Sequence, residues 1–187
     1  MVGKKGGTML KGNVWKMAAL WAFTILAACS GTSSPHVWAP TAVDAGRYLV
    51  VAGGCNDCHT PGWDPSGGKT PLTHWLTGSP VGFEGPWGTT YPANLRLLVQ
   101  EVSEAQWVAM FKSKTPLPQY PMRPPMPWVN VHRLSVRDVR ALYIFIRSLG
   151  PMGKPAPAYA RPGQLPTTPY IIFVPQQPKA SLTNVLP

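Results

Sequence analysis

Cys55, Cys58 and His59 form the stretch of this 187-residue chain whose residue types and spacing point most directly to chemistry. The stretch reads Cys55-Asn-Asp-Cys-His59. Two thiols three positions apart lie about one helical turn from each other, and the imidazole follows the second thiol directly. Thiols so placed can form a disulfide, bind a metal or form thioethers, and imidazole is a common metal ligand.

Four interpretations of this motif compete. A thioredoxin-like redox pair needs a βαβ setting, which the sequence does not show. A zinc site could combine the two thiols with a histidine such as His74, but no second cysteine pair completes a usual zinc motif. A structural disulfide would not require His59. The fourth interpretation, the CxxCH attachment signature of a c-type haem, uses all three residues, because each thiol adds to a haem vinyl group and the histidine becomes an axial iron ligand. We therefore predict one covalent haem c on Cys55 and Cys58, with His59 on the iron.

The proline-rich loop at 120–128, with the sequence YPMRPPMPW, is where we expect the second axial ligand. Its proline density excludes both a helix and a central strand. Prolines flank Met126 on both sides, fix the local φ angles and lower the entropy cost of holding its sulfur on an iron. The sequence therefore predicts Met126 as the ligand, with Met122 as the alternative. A bis-histidine site that uses His74 or His132 stays open.

Three amphipathic helices are predicted to position these residues. The first covers about 43–52, the second begins at the capping box that follows Val102, and the third begins at Ser135 and stops at Gly150-Pro151. We find no run with the two-residue period of a strand. Residues 63–98 are therefore expected to be mostly loop, which is too long for a compact domain unless something large, such as a haem, fills its middle.

The N-terminal residues 1–28 have the features of a targeting segment, with lysines followed by twelve uncharged residues. Leu26-Ala-Ala-Cys29 resembles the cleavage box of bacterial lipoproteins, which implies that Cys29 becomes a lipidated first residue. Ordinary signal cleavage and an uncleaved anchor are the alternatives. The predicted organisation is a signal peptide at 1–28, a tether at 29–40, a haem domain at 41–150 and a proline-rich C-terminal strap at 151–187.

The charge of the chain favours a protein partner over nucleic acid. The formal net charge is +10, and four lysines precede Cys29, so the processed chain carries 13 basic against 7 acidic residues, or +6. These basic residues form neither a run nor a helical stripe, which excludes nucleic acid as the expected partner. A basic rim that steers an acidic protein surface fits better.

The chain resembles class I cytochrome c, and more narrowly the bacterial monohaem or subunit cytochromes with a PPMPW loop. The resemblance rests on Ala45-Gly-Arg-Tyr-Leu49, on CxxCHT, and on a methionine-proline loop followed by the third helix, and it covers about 41–150. It implies a mainly α fold of three to four short helices, wrapped with long loops around one covalent haem. It also implies that the first and third helices cross with Gly46 near an aromatic residue such as Tyr143.

The expected function is electron transfer, one electron at a time, between redox proteins such as a dehydrogenase and an oxidase. The expected location is the periplasmic side of a bacterial membrane, through the lipid anchor, or otherwise the soluble periplasm. An iron with both axial positions filled distinguishes a carrier from a catalyst, so we expect no catalytic residues and no enzymatic activity. The alternative is a haem-based enzyme, or a gas or redox sensor, with a labile sixth ligand. A cytochrome subunit of a dehydrogenase complex is a further option.

Overall fold

The structure, a computed structural model, describes residues 1–3, 35–113 and 121–173. The chain divides into two units, Met1–Pro35 and His36–Pro187, and every element below belongs to the second. Most of the predicted targeting segment and Cys29 lie outside the described residues. Within the described ranges, no helix is both long and apolar enough to cross a membrane.

Helices α1 (Ala42–Ala52) and α2 (Cys55–His59) follow each other closely, separated by two glycines. The Thr41 hydroxyl caps α1 by accepting a hydrogen bond from the Asp44 backbone N–H at 3.1 Å. Gly54 has a φ of +68°, which favours glycine because a Cβ crowds that conformation. The predicted first helix is confirmed, and its end places the CxxCH motif on a short helix of its own.

Helix α6 (Val136–Ser148) is the centre of the helical core and packs along α1. The Ser135 hydroxyl caps it by accepting from the Asp138 N–H at 3.0 Å, as the sequence predicts. Its buried face consists of Val139, Ala141, Leu142, Tyr143, Phe145 and Ile146. Burial of each large apolar side chain of this kind stabilises the fold by about 1.5–3 kcal/mol.

The crossing of α1 and α6 depends on Gly46. A Cβ built on Gly46 would overlap the Ala141 carbonyl oxygen and lie 2.5 Å from Phe145 Cβ. The aromatic residue beside Gly46 is therefore Phe145. Tyr143, suggested by the family resemblance, instead donates its hydroxyl to the Val102 carbonyl at 3.1 Å.

The described residues contain three further α-helices, α3 (Leu95–Glu101), α4 (Glu104–Lys112) and α5 (Trp128–Arg133), and a short 3₁₀ helix at Leu72–His74. Helix α4 begins with the predicted capping box, in which Ser103 and Gln106 bond to each other's backbone N–H groups. Helices α3 and α5 are not predicted by the sequence, because seven and six residues are too few to show a clear amphipathic period.

Residues 63–98 are mostly turns and loops, as the sequence predicts, but they also contain two strands of a three-stranded sheet that the sequence does not predict. Strands β1 (Gly82–Gly85) and β2 (Gly88–Thr90) form an antiparallel hairpin, and β3 (Tyr170–Ile172) pairs with β1 in parallel, which gives the order β2-β1-β3. The strands are only three or four residues long, and the hairpin is glycine-rich, so no alternating pattern develops. Strand β3 lies within the predicted C-terminal strap, 151–187.

The described residues therefore combine a helical core with a small sheet, and the class I cytochrome c fold stays a prediction. Residues before α1 also contact the domain, since the Val37 N–H donates to Asp138 Oδ1 at 2.8 Å. From Val37 onward, the predicted tether is in contact with the N-terminal end of α6.

Candidate functional site

His59, the last residue of α2, is buried and held in one orientation. Its Nδ1 lies 2.7 Å from the Ala93 carbonyl oxygen. Because a carbonyl can only accept, we assign the ring proton to Nδ1, which leaves a lone pair on Nε2. Burial also lowers the pKa of His59, so the ring is neutral at pH 7. A neutral imidazole whose other nitrogen donates to a carbonyl is the usual form of a metal-bound histidine.

Cys55 and Cys58 lie on the same short helix as half-buried, free thiols. Burial, followed by the nearby Asp57 carboxylate, raises the pKa of Cys55 to about 11. Burial, then Asp57 and Asp64, also raises the pKa of Cys58. Both thiols are therefore protonated at neutral pH. A thioredoxin-like redox pair needs a thiol whose pKa is lowered. The raised pKa values of both thiols therefore argue against that alternative.

Side-chain bonds fix α2 against the following segment. The Thr60 hydroxyl donates to Asn56 Oδ1 at 2.7 Å and accepts from the Leu76 N–H at 2.8 Å. The side-chain nitrogen of Asn56, Nδ2, is buried and finds no hydrogen-bond acceptor among the described residues. An unpaired buried donor costs about 1–3 kcal/mol, which an acceptor on a bound group would remove. No sequence pattern singles out Asn56, whereas Thr60 belongs to the CxxCHT stretch that contributes to the family resemblance.

The methionine loop, residues 121–127, carries both predicted methionine ligands, and each is half-buried. Met122 packs against the buried core. Met126 lies in a turn in which its N–H donates to the Arg123 carbonyl at 3.1 Å and its own carbonyl accepts from the Trp128 N–H at 2.8 Å. The choice of Met126 over Met122 stays a prediction.

Two parts of the fold outside the predicted motifs hold the methionine loop. The Thr90 hydroxyl, at the end of β2, donates to the Pro124 carbonyl at 2.6 Å. From the C-terminal extension, the Tyr159 ring lies under the Arg123 guanidinium at 4.0 Å, and its hydroxyl donates to the Trp87 carbonyl at 2.7 Å. Thr90 and Tyr159 belong to no motif, and their roles depend on contacts between distant parts of the chain.

The two histidines of the bis-histidine alternative differ in setting. His74 is exposed, and its Nδ1 lies 3.2 Å from the Thr73 hydroxyl. His132, on α5, places Nδ1 2.8 Å from the Phe111 carbonyl, which leaves Nε2 free by the argument applied to His59. His132 therefore stays open as a second ligand.

The zinc alternative is not supported by the geometry. Within the described parts of the chain, no group of three or more histidine, cysteine, aspartate or glutamate side chains could hold a metal ion between them. Cys55, Cys58 and His74 are all described, so the structure does not bring this set together.

A groove of about 250 Å³ lies at the N-terminal ends of α1 and α6, and none of the predicted haem ligands lines it. It is lined by Val37, Ala39, Pro40, Thr41, Ala42, Ala45, Arg137, Asp138, Arg140, Ala141 and Ile144. We do not include this groove in the candidate site.

Comparison of the chain with protein-family models, with curated proteins and with solved structures finds no match. The assignment of the site therefore depends on its own chemistry. Two protonated thiols three positions apart and a neutral histidine with Nε2 free are the residue types that c-type haem attachment uses, and a separate loop carries the two candidate methionines.

Proposed function

We propose that this chain is a single-haem c-type cytochrome that transfers electrons without chemistry on a substrate. The observation that carries the proposal is the hydrogen bond from His59 Nδ1 to the Ala93 carbonyl, directly after two free thiols. It prepares Nε2 of a neutral ring for an iron, next to the two side chains that would attach the porphyrin. A bound haem supplies one-electron Fe(II)/Fe(III) chemistry.

The chain's own residues would hold the cofactor and limit access to it. Cys55 and Cys58 provide two thioether links, and His59 provides one axial ligand. Met126 would provide the other, with Met122 as the alternative, and a filled second position keeps small ligands off the iron. The resemblance to class I cytochrome c over 41–150 supports the same assignment.

The setting in the cell is part of the proposal. We infer a lipid anchor on Cys29 and a position on the periplasmic side of a bacterial membrane, because Leu26-Ala-Ala-Cys29 resembles a lipoprotein box. The partners would be a dehydrogenase that donates electrons and an acceptor such as an oxidase. The net charge of +6 after processing favours partners with an acidic docking surface.

Covalent haem attachment is the first test. The full-length chain is expressed with export and a c-type haem attachment system, and haem is stained on a denaturing gel. We expect staining of the wild type, a strong loss in the double variant Cys55→Ala/Cys58→Ala, and full staining of Cys29→Ser, which serves as the matched cysteine control. A wild type that does not retain haem after denaturation would overturn the proposal.

The second axial ligand is tested by spectra of the purified ferric protein. We expect the methionine–iron charge-transfer band in the wild type and Met122→Ala, and its loss in Met126→Ala. Loss in Met122→Ala alone would assign the ligand to Met122. Absence of the band from the wild type, together with a changed spectrum in His132→Ala, would replace methionine by histidine. Rapid carbon monoxide binding by the reduced wild type would contradict a carrier and favour a sensor or enzyme.

A further inference from the structure

We propose that Thr90 is a positioning residue that holds the methionine loop in place to keep its sulfur ligand on the iron. This inference rests on the proposed function and concerns a residue outside the haem-binding motifs.

The Thr90 hydroxyl reaches the middle of the methionine loop. The side chain is 9% exposed and donates to the Pro124 carbonyl at 2.6 Å, whereas its other acceptor, the Phe83 carbonyl, is 3.4 Å away. Pro124 stands two residues from Met122 and two from Met126, so the bond restrains the loop whichever methionine is the ligand. Proline also has no N–H, so fewer backbone donors are available to anchor this loop.

The backbone of Thr90 is itself fixed by the sheet. Thr90 pairs with Phe83 of β1 in the antiparallel hairpin. A restraint from a hydrogen-bonded strand positions a group more firmly than one from a mobile loop. The hydroxyl therefore connects the loop to a rigid element.

Thr90 and Ala93 are the two ends of a short segment, residues 90–93, that contacts both the methionine loop and His59. At one end the Thr90 hydroxyl binds the methionine loop, and at the other the Ala93 carbonyl accepts from His59. Three residues of extended chain span at most about 10 Å. One short segment thus restrains the methionine loop and, through a separate bond, the His59 ring. Removal of the Thr90 hydroxyl should loosen the methionine loop and leave the orientation of the His59 ring unchanged.

Thr89 offers a matched comparison. It is the same residue type, stands next to Thr90 on β2, and is even more buried, at 1% exposed. Its hydroxyl finds no hydrogen-bond partner among the described residues, while its backbone pairs with Ala160. A Thr→Val change at 89 therefore alters the same strand without loosening the methionine loop.

The test uses the haem-loaded, full-length protein and measures two properties of the ferric iron. One is the methionine–iron charge-transfer band, and the other is the affinity for added imidazole, which competes with the sixth ligand. In Thr90→Val we expect a weaker band and imidazole binding about tenfold tighter, which corresponds to the loss of one partly buried hydrogen bond. Thr90→Ser, which keeps the hydroxyl, and Thr89→Val should both resemble the wild type.

A second variant covers the risk that Thr90→Val folds poorly, because valine places a methyl group against a carbonyl that the hydroxyl approaches to 2.6 Å. Thr90→Ala removes the hydroxyl without that clash and should show the same change. Wild-type imidazole affinity in Thr90→Ala, or an equal change in Thr89→Val, would overturn the inference while the proposed function stands. A wild type that lacks covalent haem would overturn the proposed function, and the inference with it, whereas covalent haem without the methionine band would overturn the inference alone.

Discussion

The side chain of Arg96 connects three separate segments of the described chain. Its side chain is 5% exposed, and its Nε and Nη1 donate to the carbonyls of Gly150 and Thr73, both at 2.6 Å. Nη2 donates to the Leu149 carbonyl. Leu149 and Gly150 follow α6, where unpaired carbonyls carry partial negative charge and a cation is favourable. One guanidinium thus joins α3, the C-terminal end of α6 and the 3₁₀ helix at Leu72–His74.

Substitution of Arg96 by lysine should destabilise the protein although the charge is kept. An ammonium group cannot reach three carbonyls in different directions from one position, so at least one buried acceptor loses its partner. We expect a loss of about 2–3 kcal/mol in the free energy of unfolding. The measurement is guanidinium chloride unfolding of the haem-loaded protein, with Arg161→Lys as an exposed control. Equal unfolding midpoints for Arg96→Lys and the wild type would refute the role assigned to Arg96.

At the scale of the elements, the packing of α1 against α6 depends on the missing side chain of Gly46. An alanine there would favour the helix by about 1 kcal/mol in isolation. Its methyl group would also overlap the Ala141 carbonyl and crowd Phe145 Cβ, and such overpacking costs about 1–3 kcal/mol or more. The close approach to backbone leaves little room for relaxation, so the packing cost should exceed the gain in helix propensity.

We therefore expect Gly46→Ala to lower the free energy of unfolding by about 2 kcal/mol. The control is Val51→Ala on the exposed side of the same helix, where a change within about 0.5 kcal/mol is expected. Thermal or denaturant unfolding, followed by tryptophan fluorescence, measures both variants. A stabilised Gly46→Ala protein would show that the helices can separate enough to accept a methyl group.

The elements that could be predicted are those whose signals are local in sequence. Helix α4 begins at a capping box and α6 at a serine cap, and the CxxCH motif that suggests haem attachment occupies only five residues. The hairpin of β1 and β2 gives no such signal, because Gly82, Gly85 and Gly88 interrupt its short strands. Its pairing with β3 joins residues nearly ninety positions apart.

The same difference applies to the candidate site. Cys55, Cys58 and His59 follow from a motif, whereas the Ala93 carbonyl that orients the histidine lies 34 residues away. The bond between Thr90 and Pro124 also spans 34 residues, and a backbone carbonyl leaves no trace in residue type. Sequence patterns could therefore identify candidate ligands, while the groups that orient them required the structure.

On the scale of the whole molecule, the described part of the C-terminal extension, 151–173, contacts both the hairpin and the methionine loop. Strand β3 pairs with β1, and Phe173 packs on Phe83 and Trp87 at ring distances of 5.7 and 6.4 Å. Closer to the domain, Tyr159 supports the Arg123 side chain of the loop and Ala160 pairs with β2. Within the extension, β3 thus supports the sheet, and Tyr159 supports the methionine loop.

Two truncations separate these contributions. A chain that ends after Thr168 loses β3 but keeps Tyr159, so it should unfold at lower denaturant concentration with nearly unchanged imidazole affinity. A chain that ends after Pro155 also loses Tyr159 and Ala160, so its methionine loop should open more readily and bind imidazole about tenfold more tightly, given the usual strength of a cation–π contact and a hydrogen bond. Both chains keep Cys55, Cys58 and His59, so equal haem staining is the internal control. Wild-type imidazole affinity in the shorter chain would show that the extension stabilises the sheet alone and that the loop is held without it.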